Sequence, residues 1–457
     1  MSELVYDCLV IGAGPGGMRA AMEAARSGLS TALVEQGDLG GTCLNQGCIP
    51  TKLFLGATAA KPMLETQQKL KTGSGEVHFD LTAIQQRKER FLKGSRTAVS
   101  KQLQTLGVAL HTGTARFTGT NALTVAHADG TETTLAFTHA IVATGSMPAA
   151  FPGLEPDGEA VLHSTHALAL ATAPASLLIV GAGAIGLEMG DFFSRLGTAI
   201  TLVEGMDTLA PTEDPDIGDA LRKHLKREGW SIHTGRKVAS LRTENGKAVL
   251  TFADGETLTA DKALMAAGRK PCSASLHPET AGMTTVGAGW IQTNAHLMAT
   301  PSIYAVGDVN GRTLLAHAAD HQARYVVRHM KGTTKIPYAS GPMPACIYGH
   351  TEVMRVGPTT AELQKAGRKV EVSSAQLIAN PIAQSYGTTH GFVKVLWAEN
   401  RMVGIAAVGH GVSHLVSVAT IMVSRAWRVE DVHGIVWAHP TLDEALGMAA
   451  TAPRTPA

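Results

Sequence analysis

The stretch Asp7-Cys-Leu-Val-Ile-Gly-Ala-Gly-Pro-Gly-Gly17 joins a short apolar run to a glycine-rich turn. The alanine-rich segment Met18–Ser27 follows, and a second apolar run, Thr31–Val34, ends in Glu35. This order predicts a strand, a tight turn, a helix and a second strand. Such a turn lets the backbone approach a pyrophosphate, which the helix N-terminus then binds, while Glu35 is placed to accept hydrogen bonds from ribose hydroxyls. The stretch therefore predicts a dinucleotide site, whose turn contains Gly12, Gly14 and Gly17.

A second copy of this pattern begins at Leu177. It runs through Gly181-Ala-Gly-Ala-Ile-Gly186, a helical segment, and the apolar run Ala199–Val203, which ends in Glu204. Two such units predict two dinucleotides. A carboxylate at this place repels a ribose 2′-phosphate, and no arginine follows Glu204 within residues 205–208, so NAD is favoured over NADP. The turn glycines of this copy are Gly181, Gly183 and Gly186.

Between the two copies, Gly40-Gly-Thr-Cys-Leu-Asn-Gln-Gly-Cys-Ile-Pro-Thr-Lys52 contains two cysteines, Cys43 and Cys48. In a regular helix this spacing separates the two by about 7.5 Å along the axis, which is longer than a disulfide allows. A bridge would therefore need a break in the helix, and an accessible bridge of this kind is readily reduced. Two unlinked thiols in a loop, or part of a metal site, are the alternatives, but no second cysteine pair accompanies them.

Size and composition limit the class of protein. At 457 residues, the chain is long enough for about three domains. Lys and Arg (39) balance Asp and Glu (38), which gives no indication of nucleic-acid or membrane binding. Five cysteines do not suit a secreted disulfide scaffold, and the acidic Glu3 enters a strand pattern without a signal peptide, so we expect a cytoplasmic protein.

The cysteine stretch resembles the redox-active signature of the flavin disulfide reductases, Gly-Gly-Thr-Cys-x-x-x-Gly-Cys-x-Pro-x-Lys, and is most similar to the version in dihydrolipoamide dehydrogenases. The resemblance implies that Cys43 and Cys48 form a redox-active disulfide. It also implies that the first glycine turn binds FAD and the second NAD. A lipoyl-carrying protein would then be the substrate, and the reaction would oxidise its dihydrolipoyl dithiol with NAD⁺.

The resemblance assigns further residues to the cofactors. Thr144-Gly145 would lie by the FAD, Asp308 would hold its ribityl chain, and Glu188 would pair with Lys52 beside the flavin and nicotinamide. The remaining positions carried over from the family are Gly41, Thr42, Gly268, Leu315 and Ala316. No metal ligand is among them.

Near the C-terminus, His439 and Glu444 resemble the family's His–Glu pair, which reaches the cysteines of the other subunit of a homodimer. Imidazole accepts a thiol proton near neutral pH, and a carboxylate orients the ring. Asp443 is the rival orienting residue, but the family pattern favours Glu444.

The predicted fold is α/β, with two Rossmann-like dinucleotide-binding domains and a C-terminal α+β dimerisation domain. We expect an amphipathic helix over Leu81–Leu106, an antiparallel meander over Val108–Thr138, a separate strand over Ala140–Gly145 that ends in Thr144-Gly145, and a linker over Ser146–Gly153. The predicted boundaries are 1–148 (FAD, first part), 149–270 (NAD), 271–335 (FAD, second part) and 336–457 (interface).

Three histidines depart from the family pattern: His321, His350 and His414. They suggest the hypothesis that the carrier, or the disulfide itself, differs from that of an ordinary 2-oxoacid complex. The alternative functions are an NAD(P)H-dependent reductase of another disulfide, a flavin oxidase and a docking subunit of a larger complex. Mercuric reductase would require a C-terminal cysteine pair, and glutathione reductase would prefer arginines after the second turn; both features are missing from the sequence.

Overall fold

The computed structural model describes residues 4–457, so Glu3 lies outside the described residues. The chain divides into two compact units. Unit 1 contains the residues up to Pro50, Gln86–Ala149 and Gly268–Ser340, and unit 2 contains Thr51–Gln85, Ala150–Ala267 and Gly341–Ala457.

The helices of the described chain are α1 (Pro15–Arg26), α2 (Gly41–Asn45), α3 (Cys48–Ala57), α4 (Ala60–Lys69), α5 (Leu81–Thr105), α6 (Ser164–Leu168), α7 (Ala184–Arg195), α8 (Pro215–Arg227), α9 (Ala316–Met330), α10 (Thr360–Lys365), α11 (Pro381–Tyr386), α12 (Val416–Ser424), α13 (Val429–His433) and α14 (Glu444–Thr451).

The strands up to residue 265 are β1 (Leu4–Ile11), β2 (Thr31–Glu35), β3 (Ala109–Thr112), β4 (Thr114–Phe117), β5 (Ala122–Ala126), β6 (Glu132–Val142), β7 (Ser146–Pro148), β8 (Val161–His163), β9 (Ser176–Val180), β10 (Ala199–Glu204), β11 (Ser231–Thr234), β12 (Val238–Glu244), β13 (Lys247–Phe252), β14 (Thr257–Ala260) and β15 (Lys262–Met265). The later strands are β16 (Arg269–Pro271), β17 (Thr285–Val286), β18 (Trp290–Ile291), β19 (Ile303–Ala305), β20 (Pro344–Ile347), β21 (Glu352–Val356), β22 (Glu371–Gln376), β23 (Gly391–Ala398), β24 (Arg401–Gly409) and β25 (Thr455–Pro456).

Unit 1 is built on a seven-stranded sheet of order β3-β2-β1-β6-β5-β4, with β19 beside β6. Strands β3, β2, β1 and β6 are parallel, and so are β19 and β6. The side chains of β1 alternate between two cores: Cys8 and Val10 pack on one face, and Leu9 and Ile11 on the other. Burial of both faces explains why this strand reads as an unbroken apolar run.

The predicted meander is only partly correct. Strands β4, β5 and β6 are antiparallel neighbours, but β3 pairs in parallel with β2 at the sheet edge. Strand β6 also continues without interruption from Glu132 to Val142, so Ala140–Val142 is not a separate strand. Part of the expected linker is also ordered, because β7 pairs antiparallel with β16.

Unit 2 contains a parallel sheet of order β11-β10-β9-β15-β8, a three-stranded antiparallel sheet and a six-stranded sheet of order β20-β21-β24-β23-β22-β25. Apolar residues from the parallel and six-stranded sheets share one core, in which Leu187 and Phe192 of α7 pack with Ile347 and Val408. Most buried apolar residues of 344–450, the α+β part of the predicted fold, form a second core of their own, and only Ile347, Val353, Ala406 and Val408 join the core of the parallel sheet.

Candidate active site

The first glycine turn, in unit 1, allows no side chain at its first and third glycines. Gly12 has φ +97°, and a Cβ there would lie 2.6 Å from the carbonyl oxygen of Ala143. A Cβ on Gly17 would lie 1.7 Å from the carbonyl oxygen of Gly12. By contrast, no neighbouring atom of the described residues lies within 4 Å of a Cβ on Gly14. Gly12 and Gly17 therefore pack closely against the backbone, while Gly14 faces open space. This is the arrangement that a pyrophosphate site at the N-terminus of α1 requires.

Glu35 is held at the end of β2 by two backbone hydrogen bonds. Its Oε2 accepts from the N–H of Ala13 at 2.6 Å, and its Oε1 accepts from the N–H of Gly37 at 2.8 Å. An open cavity of about 650 Å³ adjoins this carboxylate. Polar and charged residues of its lining include Glu35, Asp38, Lys93, Arg96, Ser100 and Thr112. The space and the polar lining suit the adenosine half of a dinucleotide.

Thr144 provides a direct test of whether a cofactor fits unit 1. Its hydroxyl oxygen is buried, and no hydrogen bond in the described part of the chain satisfies it. A buried hydroxyl is normally hydrogen-bonded, so a missing partner indicates a ligand position. Next to it, Gly145 has φ +70° and accepts the backbone N–H of Cys272 at 3.0 Å.

Asp308 lies in the turn after β19, within unit 1. Its Oδ2 accepts the Ser146 hydroxyl at 2.5 Å, and Arg269 Nε donates to the same hydroxyl oxygen at 2.7 Å. The carboxylate is thus tied to the β7–β16 ribbon. Of the other predicted positions, Gly268 has φ +147°, Leu315 is the N-cap of α9, and Ala316 begins that helix.

The cysteine stretch forms two short helices. Cys43 is half-buried in α2, and Cys48 is the exposed first residue of α3, so the helix is interrupted between them at Gln46 and Gly47. This interruption is what a bridge between the two cysteines would require. Gly41 lies against the first glycine turn, since a Cβ there would be 2.7 Å from the Cα of Gly14. Thr42 is exposed in the same helix α2.

The second glycine turn, in unit 2, repeats the first in detail. A Cβ on Gly181 would lie 2.6 Å from the carbonyl oxygen of Ala266, and one on Gly186 would lie 2.0 Å from that of Gly181, while the space around Gly183 is open. Glu204 again accepts two backbone N–H groups, from Ala182 at 2.8 Å and Met206 at 2.9 Å. These residues fit a second dinucleotide.

Lys52 and Glu188 form an ion pair within unit 2, with 2.6 Å between Nζ and Oε2. Glu188 is 5% exposed, and its other oxygen accepts the backbone N–H of Tyr348 at 3.0 Å. Burial raises the pKa of the Glu188 carboxyl, and Lys52 opposes that shift.

His439 Nδ1 and Glu444 Oε1 are 2.9 Å apart. Glu444 also accepts the backbone N–H of Thr441 at 2.9 Å, and these hydrogen bonds, that of Thr441 first, lower the pKa of the Glu444 carboxyl. Because a carboxylate only accepts, Nδ1 carries the proton, which leaves Nε2 of the neutral ring as a base. Glu444, not Asp443, therefore orients His439, whose side chain is 68% exposed.

Four histidines of unit 2, His224, His350, His390 and His410, form what we call the histidine junction. Ring centroids are 5.3 Å apart for His350–His410, 5.8 Å for His224–His350 and 6.4 Å for His224–His390. Burial lowers the pKa of His224, and it lowers that of His350 to about 3.

The other two histidines that depart from the family pattern, His321 and His414, are not members of the histidine junction. His321 Nδ1 is 3.1 Å from the Tyr338 hydroxyl in unit 1, and His414 is exposed in unit 2. Among residues 4–457, no group of three or more His, Cys, Asp or Glu side chains is arranged to hold a metal ion. None of the helices described for this chain has both the length and the apolar character needed to cross a membrane.

Sequence reasoning missed Ser146, Arg269 and Tyr348, which contact predicted site residues. Ser146 directly follows Thr144-Gly145 and Arg269 follows Gly268, so the neighbouring motifs were available as a signal. Tyr348 lies far along the chain from Lys52 and Glu188, and nothing in their spacing predicts that they meet.

Comparisons with known proteins agree with this geometry. Residues 6–323 match the pyridine nucleotide-disulphide oxidoreductase family, and residues 343–450 match its dimerisation domain, which supports a homodimer. A dihydrolipoyl dehydrogenase of Chlorobaculum tepidum is 35% identical over 97% of this chain and 96% of its own length. One from Trypanosoma brucei brucei is 37% identical over 98% of this chain and 96% of its own length.

Solved structures give the same result. LpdA from Mycobacterium tuberculosis superimposes with a TM-score of 0.89 at 25% identity, covering 97% of this chain and 98% of its own. The HOCl-induced flavoprotein disulfide reductase RclA from Escherichia coli has a TM-score of 0.85 at 26% identity, covering 98% and 99%.

These matches confirm the predicted fold class and, at the level of the family, an oxidoreductase that acts on a sulfur couple with FAD and NAD. With both glycine turns, the cysteine stretch and the C-terminal domain within the matched ranges, the chain belongs to the pyridine nucleotide-disulphide oxidoreductase family.

Proposed function

We propose that this protein is a dihydrolipoyl dehydrogenase-type enzyme that oxidises a protein-bound dihydrolipoyl dithiol with NAD⁺. The overall reaction converts dithiol and NAD⁺ to disulfide, NADH and one proton. The observation that carries the proposal is that one chain holds two preorganised dinucleotide turns and a cysteine pair whose second member begins a helix. The dihydrolipoyl dehydrogenases that resemble the chain over nearly its full length support the choice of substrate.

Each cofactor has its own set of residues. FAD would be held in unit 1 by the first glycine turn, Glu35, Thr144 and Asp308, and NAD in unit 2 by the second turn and Glu204. When bound, FAD supplies two-electron transfer between a dithiol and a nicotinamide. The proposed domain boundaries remain those predicted from the sequence, with segments 1–148 and 271–335 contributing to the FAD site.

Residues of the chain itself carry out the thiol–disulfide exchange and the proton transfer. We assign Cys43 as the sulfur that the substrate thiolate attacks to give a mixed disulfide, with Cys48 as the leaving thiolate. The second substrate thiol then displaces Cys43 and releases the oxidised lipoyl group. The N-terminus of α3 favours a thiolate on Cys48, because the backbone N–H groups there carry partial positive charge.

His439 is the proposed base for the substrate thiols. Its Nε2 accepts the thiol proton, and Glu444 stabilises the imidazolium that forms. In the homodimer, the partner subunit's His439 serves the cysteines of a given chain.

Anaerobic titration of the holoenzyme with dihydrolipoamide and with NADH tests the proposal. We expect both reductants to produce the long-wavelength band of a thiolate–flavin complex. Cys48→Ser should retain FAD and lose at least a thousandfold in lipoamide turnover, since the disulfide can no longer form. Cys272→Ser, a half-buried lone cysteine of unit 1, is the matched control and should retain turnover. Full activity of the Cys48 variant would refute the scheme.

A second candidate is an NADH-dependent reductase of a different disulfide. The likeness to RclA, a flavoprotein disulfide reductase, favours it, and so does the histidine junction, which contains His350, one of the three histidines that depart from the family pattern. Steady-state rates in both directions, with lipoyl domains and with small disulfides, separate the two. A clear best rate for a standard lipoyl domain with NAD⁺ supports the first proposal, whereas faster NADH-driven reduction of another disulfide supports the second.

A further inference from the structure

Tyr348 approaches the Lys52–Glu188 ion pair from the segment that follows β20. This segment belongs to the dimerisation-domain match, whereas Glu188 lies on α7, the helix that the second glycine turn starts. All three residues lie in unit 2.

Two contacts from Tyr348 act on the two partners of the pair. The Lys52 Nζ lies 4.4 Å from the centroid of the Tyr348 ring. The backbone N–H of Tyr348 donates to Glu188 Oε1, while Lys52 occupies Oε2. An ammonium over an aromatic face is attracted by the ring's negative quadrupole, and the attraction grows when water is excluded.

The Tyr348 hydroxyl has a partner in the same segment. The Tyr348 hydroxyl and the Cys346 thiol are hydrogen-bonded, and burial raises the pKa of Tyr348 to about 12 and that of Cys346 to about 11. Both groups therefore stay protonated and neutral at physiological pH. Two residues further, His350 donates its backbone N–H to Asp191 at 2.8 Å, so the segment contacts α7 at two carboxylates.

Lys52 and the backbone N–H of Tyr348 act against the effect of burial on the pKa of Glu188. Burial is the first cause of its raised pKa, with Asp191 acting in the same direction, and Lys52 is the main group that opposes it. The other titratable groups that face this cluster are Tyr348, Cys346 and Glu352. Since the Lys52 side chain is 33% exposed, solvent competes for its ammonium, and a contact that holds the ammonium in place matters.

We infer that Tyr348 is a positioning residue whose ring holds the Lys52 ammonium against the Glu188 carboxylate. The inference rests on the proposed function only in placing the Lys52–Glu188 pair beside the flavin and the nicotinamide. Tyr348 thereby makes the charge state of the pair depend on the dimerisation domain.

The test compares Tyr348→Leu, which removes the aromatic face but keeps the backbone N–H, with Tyr348→Phe, which keeps the face. The readout is the infrared band of protonated carboxyl groups in the holoenzyme as pH is lowered, assigned to Glu188 by its loss in Glu188→Gln. We expect the midpoint of this band to rise by about one pH unit in Tyr348→Leu and to match the wild type in Tyr348→Phe. The acid limb of the pH profile for NAD⁺ reduction should move by the same amount.

Tyr386→Leu, at a half-exposed tyrosine of unit 2, is the matched control and should change neither readout. If Tyr348→Leu fails to fold, Tyr348→Met decides, because methionine also removes the aromatic face but fills more of its volume, and it should shift the midpoint in the same direction. Unchanged midpoints in the folded variants would overturn the inference. Wild-type turnover of dihydrolipoamide is measured in parallel, so failure of the proposed function is seen separately.

Discussion

At the scale of single residues, Thr144 combines burial with an unsatisfied hydroxyl. A hydroxyl in that state costs stability in the absence of a ligand, and the cost is recovered when a ligand accepts or donates a hydrogen bond. The same residue thus links the stability of the apoprotein to cofactor affinity.

We predict that Thr144→Val raises the unfolding free energy of the apoprotein by up to about 1 kcal/mol and weakens FAD binding about tenfold. In the apoprotein, removal of the hydroxyl abolishes the cost of burying an unsatisfied polar group. In the holoprotein, it abolishes a hydrogen bond to the cofactor. Urea unfolding and FAD titration measure the two effects. Thr31→Val is the control: its buried hydroxyl donates to the carbonyl of Leu29, so this variant should lose stability and keep its FAD affinity. Equal effects of both variants on FAD affinity would contradict the prediction.

His439 and Glu444 give a second prediction at this scale. His439→Gln should slow dihydrolipoamide oxidation by about 10²–10⁴-fold, the range expected when a general base is lost. NADH oxidation by dyes should be nearly unchanged, because no substrate thiol is deprotonated in that assay.

Glu444→Gln should cause a smaller loss, since the amide still contacts the ring but no longer stabilises the imidazolium. Asp443→Asn is the matched control, one residue away, and should keep at least half the wild-type rate. A larger loss in Asp443→Asn than in Glu444→Gln would reverse the assignment.

At the scale of elements, the two glycine turns separate the cofactors experimentally. Within residues 4–457, no neighbouring atom lies within 4 Å of a Cβ on Gly14 or Gly183, so Ala at either position should leave the fold intact. The added methyl group would occupy the space through which a pyrophosphate approaches the backbone.

We predict that Gly14→Ala lowers FAD content at least tenfold, whereas Gly183→Ala retains FAD and raises the KM for NAD⁺ at least tenfold. Flavin absorbance per chain and steady-state kinetics measure these changes. Gly94→Ala in α5 is the control and should be neutral or stabilising by about 0.5–1 kcal/mol, because alanine favours a helix. Loss of FAD in the Gly183 variant would show that the two turns are not independent.

Local patterns predicted the strands and helices next to the glycine turns to within a few residues. Thr31–Val34 and Ala199–Val203 are each extended only by their terminal glutamate, because apolar runs bounded by special residues mark buried strands clearly. The sequence pattern wrongly divides strand β6 into two segments, because Thr138 and His139 interrupt its apolar run. The pairing of β3 with β2 depends on the topology of the sheet, which the periodicity of apolar residues does not predict.

The candidate site shows the same limit. Positions within one motif, such as the glycine turns and His439 with Glu444, could be predicted because their chemistry depends on short spacings. Tyr348, Ser146 and Arg269 contact residues more than a hundred positions away, and only the fold brings them together.

At the scale of the whole molecule, the histidine junction joins elements of unit 2 from distant parts of the sequence. His224 lies on α8, and His350, His390 and His410 lie beside the strands of the six-stranded sheet. The charged groups that act on His224 and His350 are Asp191, Arg195, Glu228 and Lys69. Because burial lowers the pKa of both imidazoles in the folded state, the unfolded chain binds more protons than the folded one as pH falls below the ordinary histidine pKa of about 6.5.

We predict that unit 2 loses stability as pH falls below about 6.5, with the loss from His350 continuing toward its folded pKa of about 3. At pH 5 the contribution of His350 should be about 1–2 kcal/mol. Urea unfolding followed by tryptophan fluorescence measures this, since four of the five tryptophans lie in unit 2. His350→Gln should reduce the acid sensitivity, and His433→Gln, at an exposed histidine, should not. Equal acid sensitivity in wild type and His350→Gln would exclude this origin.

The paired backbone hydrogen bonds of Glu204 have a practical consequence for redesign of coenzyme preference. Replacing Glu204 with a cationic residue, in order to bind the 2′-phosphate of NADP, would also remove the hydrogen-bond acceptors of the Ala182 and Met206 backbone N–H groups. A change of coenzyme preference would therefore need a second substitution that supplies new acceptors for these two N–H groups. Substitution of Glu204 alone should weaken the binding of both NAD and NADP.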